Sequence, residues 1–193
     1  AAGWRDRESL DPLERDAIFR IASMTKPVTS VAALMLVDEG RMALSDPISK
    51  WAPEFADMRV LRSPTGPLDE TDPAVREITF DDLLTHRSGL TYSSFHDGPI
   101  QPAYDAALGG QIDSHVAPDD WIAALAGLPL IDQPGAGFHY GNSTDLLGFL
   151  IARIEGEPLG AVLMRRIFEP LGMTDTGFFV QADKAHRRAQ MYG

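Results

Sequence analysis

The stretch "FRIASMTKPVTSVAALML", Phe19–Leu36, carries a serine and a lysine three places apart at the start of an amphipathic run. Residues three apart on a helix share a face, one turn from each other. A neutral lysine amine can therefore reach the serine hydroxyl and take its proton, and burial or a neighbouring cation favours the neutral amine. Pro27 lacks an N–H and is best tolerated in a first helical turn, which puts Ser23 at or just before the helix start. Backbone N–H groups there face incoming negative charge. One tension is that Lys26 precedes the proline, a position pushed away from α geometry. The plainer reading makes Ser23 an N-cap and Lys26 a solvated charge. The chain has 11 serines and 3 lysines among 193 residues, so roughly 0.2 such pairs arise by chance. Spacing alone leaves both readings open.

A second constellation is Tyr140-Gly141-Asn142, which follows the turn signal Pro134-Gly135-Ala136-Gly137. Asn142 is the only asparagine and there are 4 tyrosines. A chance placement two positions after a tyrosine has odds of about 0.02. A phenol beside a lysine ammonium has its pKa lowered and can act as a base. The plainer reading is an Asn142 or Ser143 cap on the next helix, with Tyr140 a half-buried aromatic.

Bulk properties narrow the classes. A chain of 193 residues, 44% hydrophobic, suits one large globular domain or two small ones. The net charge of −11 argues against nucleic acid or an anionic membrane as partner. The longest strictly apolar run, Val31–Val37, is far short of a membrane span. With no cysteine there is no thiol chemistry and no thiolate metal site, and the compartment stays open, bacterial cytoplasm and periplasm both being compatible. The five histidines are scattered, so no metal and no cofactor is expected.

Periodicity predicts a helix over Pro27–Glu39 closed by Gly40 and a second start at Ser45-Asp46-Pro47. A capping box at Thr79 and Asp82 precedes Leu83-Leu84. Further helices are expected over Pro118–Ala126, Ser143–Ile154 and Pro158–Phe168. Residues 59–76 read as a loop, 91–118 as a long irregular segment, and Gly177–Val180 as the one strand. The chain reads as mostly α.

The two constellations, in this order, resemble the penicillin-recognising serine hydrolases. "LLTHRSGL" (Leu83–Leu90), "PGAGFHYGNS" (Pro134–Ser143) and "PLGMTDTGF" (Pro170–Phe178) are similar to the class C β-lactamase branch. "FRIASMTKP" and "YGNSTDLLG" look closest to family VIII carboxylesterases. The resemblance implies an α/β, serine β-lactamase/transpeptidase-like fold, of which residues 1–193 look like the central, mainly helical part. The antiparallel sheet is largely missing, with strands expected before Ala1 and strands and a helix after Gly193. Another chain would supply that segment, or it lies outside this sequence. Val31, Leu34, Val37 and the Leu146–Ile154 stripe would then lack the sheet they cover. The family's third motif, Lys-Thr-Gly or His-x-Gly, has no match.

The resemblance also implies roles. Ser23 attacks the acyl carbon and its N–H is half of an oxyanion hole. Lys26 and Tyr140 share acid and base work, and Asn142 contacts substrate or orients Lys26. His86 and Ser88 are structural. The implied activity is a serine carboxylesterase on small or short-chain esters. A β-lactamase or D-alanyl-D-alanine carboxypeptidase would use the same Ser/Lys/Tyr machinery, so the substrate is a small-molecule ester or lactam. A silent binding protein on the same fold is the alternative of another class, and three retained core residues speak against it.

Overall fold

Among the described residues, four strands and six α-helices follow one another. They are β1 (Trp4–Asp6), β2 (Asp11–Pro12), α1 (Thr25–Asp38), β3 (Arg59–Leu61), β4 (Thr71–Pro73), α2 (Phe80–Leu84), α3 (Ile100–Leu108), α4 (Pro118–Ala126), α5 (Ser143–Glu155) and α6 (Leu159–Leu163). The computed structural model describes residues 1–110 and 114–192. Helix dominates, and β1–β2 and β3–β4 form two antiparallel two-stranded sheets. This is the helix-rich portion of the fold expected from the sequence.

Local chemistry sets several element ends. α1 closes on Gly40 at φ +68°, with the Arg41 N–H on the Leu36 carbonyl and the Gly40 N–H on the Val37 carbonyl, both at 2.9 Å. That pair of bonds is a Schellman motif, and a glycine meets its left-handed requirement without steric penalty. α2 starts with the capping box read from sequence, since Thr79 and Asp82 each accept the other's backbone N–H. α4 begins at Pro118, where a missing N–H does no harm.

Several expectations are corrected. Ser45-Asp46-Pro47 leads into a 3₁₀ turn, Ile48–Lys50, rather than an α-helix. Residues 59–76 contain the hairpin β3–β4, in register Val60 to Asp72. This hairpin is held from outside as well, by Leu61 N–H on the Leu130 carbonyl and Leu130 N–H on the Arg59 carbonyl, both 2.8 Å. The segment 91–118 carries a 3₁₀ turn at Ser93–Phe95 and the helix α3, with 111–113 outside the described residues. Gly177–Val180 is not a strand: among the described residues no chain pairs with it, and a strand exists only through its ladder.

The chain divides into two units, Ala1–Val28 with Gly160–Gly193, and Thr29–Leu159. In the first, Arg5 bonds Asp11 across the β1–β2 hairpin (Nε to Oδ2, 3.1 Å). The C-terminal segment is strapped on by Ile18 N–H to the Arg187 carbonyl (2.9 Å) and Ala189 N–H to the Ile18 carbonyl (2.8 Å). The Tyr192 hydroxyl donates to Asp6 at 2.8 Å. Buried apolar side chains are few here, Val162, Leu163, Ile167 and Phe168, and α6 ends in a π-helical turn, Met164–Phe168.

The second unit holds most of the core. Its largest fully buried side chains include Leu36, Ile48, Phe55, Phe80, Ile122 and Leu146. α5 packs on α2 and α4, and α4 packs on α3. Arg153 of α5 gathers Asp119 at the α4 N-terminus (2.8 Å), Glu54 (3.0 Å) and the Trp51 carbonyl (2.9 Å). Burial also separates two expectations about apolar faces. Val31 and Leu34 of α1 are each 48% exposed, as expected of an open face, whereas Val37 is half-buried. The α5 stripe is not open, because Leu146, Leu147, Leu150 and Ile151 are all fully buried within the helical layer.

Candidate active site

Ser23 lies in a 3₁₀ turn, Ala22–Met24, that runs directly into α1. It is exposed, and Lys26, the second residue of α1, is half-buried. The serine is therefore not an N-cap. That position belongs to Ile21, which makes no side-chain cap bond. Lys26 is helical despite preceding Pro27, so the continuing helix overrides the pre-proline preference. Ala22 sits at φ +44°, a left-handed conformation that an L-residue with a β-carbon adopts at a cost. Strained backbone of this kind clusters at functional sites. Nothing in the sequence signals it, since Ala gives no hint of positive φ.

Tyr140 and Asn142 belong to the second unit, at the entrance to α5. Asn142 occupies the N-cap position but makes no side-chain cap bond. Its amide instead donates to the Thr91 carbonyl at 2.8 Å, and the residue is buried. Gly141 between them is sterically required. A β-carbon there would lie 2.3 Å from the Thr91 Cα and 2.4 Å from its carbonyl carbon.

These contacts are part of a longer lacing of residues 86–91 against 131–143. The Ile131 N–H donates to the Gly89 carbonyl (2.9 Å), Gly135 to Arg87 (2.7 Å) and His139 to His86 (2.8 Å). The hydroxyls of Ser88 and Ser143 bond at 2.8 Å, both fully buried. Ser88 also accepts the Leu90 N–H at 3.1 Å. The structural role expected of Ser88 is visible in these bonds. Arg76 closes the outer side, gripping Asp82 with both nitrogens at 2.5 and 2.8 Å. Burial alone would raise the Asp82 carboxyl, but Arg76 and Thr79 bring it below the usual carboxylate range.

Aromatic rings surround Tyr140. His86 stacks on it with centroids 5.0 Å apart and planes 29° from parallel. Tyr92 and Phe95 meet it edge-on at 5.7 and 5.9 Å. The Tyr92 hydroxyl donates to Asp145 at 2.9 Å. Burial and that carboxylate push the Tyr92 phenol far above its ordinary value, so it remains a protonated donor. Tyr92 is thus unsuited to base work. His139 bonds Asp132 at 2.9 Å, and burial and His139 lower the neighbouring His96. Sequence reasoning missed Tyr92 and Asp145, which carry no motif of their own.

Among the described residues no group of three His, Asp or Glu is placed to hold a metal ion, and no helix is long and apolar enough to cross a membrane.

The chain belongs to the Beta-lactamase family, whose model matches residues 1–193. It is 52% identical over 190 residues to protein Rv1367c of Mycobacterium tuberculosis, covering 98% of this chain and 46% of the relative. It is 37% identical over 179 residues to esterase EstB of Burkholderia gladioli, covering 92% of this chain and 43% of the esterase. Among solved structures, EstCE1, a hydrolase with promiscuous acyltransferase activity, superposes with a TM-score of 0.83 at 28% identity, covering 99% of this chain and 47% of that one. The chain thus spans about half the length of the relatives it matches.

Proposed function

We propose that the protein containing this chain is a serine hydrolase that works through an acyl-enzyme, with small or short-chain carboxylic esters as substrates. The observation that carries this reading is the family match over residues 1–193, with Ser23-x-x-Lys26 and Tyr140-Gly141-Asn142 in the family's order. In the first half-reaction the Ser23 Oγ attacks the ester carbonyl, and its proton passes to the Lys26 and Tyr140 pair. Collapse of the tetrahedral intermediate releases the alcohol, which takes that proton. A water, deprotonated by the same pair, then attacks the acyl-enzyme; the bond from the acyl carbon to the Ser23 Oγ breaks, the carboxylic acid leaves, and the pair returns the proton to the Oγ. The Ser23 N–H is one donor to the oxyanion, and Asn142 contacts substrate or orients Lys26.

The esterase reading is supported by the likeness to EstB and by the phrases flanking both motifs. An alcohol in place of water would turn the same acyl-enzyme into an acyl transferase, which is the promiscuous second activity of the hydrolase EstCE1. Retention of Asn142 favours a second reading, in which a β-lactam or D-alanyl peptide is the acyl donor.

Two experiments test the proposal. A fluorophosphonate should label Ser23 in the full-length protein, and Ser23→Ala should remove both label and turnover while the fold survives. Activity of Ser23→Ala within about tenfold of wild type would overturn the assignment. Parallel rates on a p-nitrophenyl ester and a chromogenic cephalosporin decide the substrate class. Faster cephalosporin turnover would replace the esterase reading by the lactamase one.

A further inference from the structure

We propose that His86 is a positioning residue for Tyr140, and that ring stacking is the means by which it acts. The inference rests on the reading of Tyr140 as a proton-transfer group. Its own basis is geometric. The imidazole lies over the phenol at a 5.0 Å centroid distance and 29° between planes. The centroid distance falls in the range that interacting aromatic pairs adopt. Tyr92 and Phe95 meet the same phenol in T-shaped arrangements, at 75° and 83°, so three rings in all lie against it. Rotation of the phenol about its own axis would break the stack with His86.

His86 is itself held firmly. It stands at φ +54°, where side-chain-bearing residues are uncommon. Its carbonyl accepts the His139 N–H at 2.8 Å, one residue before Tyr140, and its own N–H donates to the Leu83 carbonyl at 3.3 Å. The Nε2 lies 3.4 Å from the Thr144 hydroxyl, in the first turn of α5. Phe138 meets the same imidazole in a T-shaped arrangement at 5.7 Å. The imidazole therefore connects the end of the Leu83–Leu90 segment, the Tyr140 ring and the start of α5.

The stack matters because proton transfer is sensitive to placement. A shift of about 1 Å in a reacting group can lower the rate about 10²-fold. The test is a pair of variants in the full-length protein. His86→Asn tolerates the left-handed backbone but removes the ring. His86→Phe restores a ring without the hydrogen-bonding nitrogens. Turnover is measured per active site, counted by fluorophosphonate titration, so an unfolded fraction does not enter. His86→Asn should lower kcat by about 10- to 100-fold with KM within about threefold, and His86→Phe should return kcat to within about threefold of wild type. A kcat for His86→Asn within about threefold of wild type would overturn the inference. So would His86→Phe as slow as His86→Asn at an unchanged melting temperature, since hydrogen bonding would then be the active feature. Should neither variant fold, the ring-proton shifts of labelled Tyr140 in the wild-type protein decide. Upfield ring-current shifts support the stack, and shifts of an unstacked tyrosine overturn it. Tyr140→Phe separates the two levels. If it keeps full activity, the role of Tyr140 falls and this inference with it; if it is inactive while His86→Asn is not, only this inference falls.

Discussion

The backbone of Gly141 lies against that of Thr91 so closely that a β-carbon on residue 141 would stand 2.3 Å from the Thr91 Cα. The obstacle is backbone, which cannot rotate aside as a side-chain end can. Gly141→Ala should therefore destabilise the protein by about 1–3 kcal/mol or more, through overpacking. Because Tyr140 and Asn142 flank the displaced peptide, turnover per folded molecule should fall as well. Chemical denaturation and a p-nitrophenyl ester assay on the same sample check both. A variant as stable and as fast as wild type would show that the two segments are not in contact.

The buried hydroxyl pair of Ser88 and Ser143 offers a second test. Ser88→Ala leaves the Ser143 hydroxyl and the Leu90 N–H each short of a partner, at about 1–3 kcal/mol. Removing both hydroxyls should cost less than the sum of the single changes, with a coupling of about 0.5–3 kcal/mol. A denaturation double-mutant cycle measures that coupling, and strict additivity would speak against a direct bond.

Asp82 makes stability depend on pH in a stated direction. Its carboxyl titrates below the usual range in the folded chain, through Arg76 and Thr79 and against the effect of burial. The folded state then binds this proton more weakly than the unfolded state. The contribution is present above the ordinary carboxylate pKa and is lost as pH falls through the lower folded value. Asp82→Asn should lose about 1–3 kcal/mol at neutral pH, the worth of hydrogen bonds to a charged group. The gap from wild type should close in acid. A gap of constant size from pH 7 downward would contradict the assignment.

Ala22 at φ +44° predicts a stabilising change next to Ser23. The left-handed conformation costs an L-residue about 1–2 kcal/mol. Glycine avoids that at an entropic cost of about 0.5–1 kcal/mol. Ala22→Gly should therefore gain on the order of 0.5–1 kcal/mol. A rise in melting temperature is expected, and a fall would mean the strain is not there.

Lys26 and Tyr140 should behave as one unit if they share the proton transfers proposed above. Groups that act together lose activity non-additively. Lys26→Ala combined with Tyr140→Phe should be little slower than the worse single variant in kcat/KM. Losses that simply multiply would show two independent roles.

What the sequence by itself determined lies within a few residues of its signal. The Thr79–Asp82 capping box, the Gly40 closure of α1 and the Pro118 start of α4 all depend on neighbours one to five places away, and all were legible as motifs. The Ser23 and Tyr140 constellations were legible for the same reason, as fixed short spacings. Tertiary structure decided the rest. The β3 strand is supported by Leu130, far along the chain, so residues 59–76 show no strand periodicity of their own. The amide of Asn142 bonds Thr91, a residue 51 places away, where a local reading expected a helix cap. α5 shows an apolar stripe, but only its packing on α2 and α4 determines that the stripe is covered, whereas Val31 and Leu34 of α1 remain open. The ring that faces Tyr140 belongs to His86, and no spacing rule connects them. Periodicity records which face of a segment is apolar; which neighbour meets that face depends on chain distance and packing, which a local pattern does not contain.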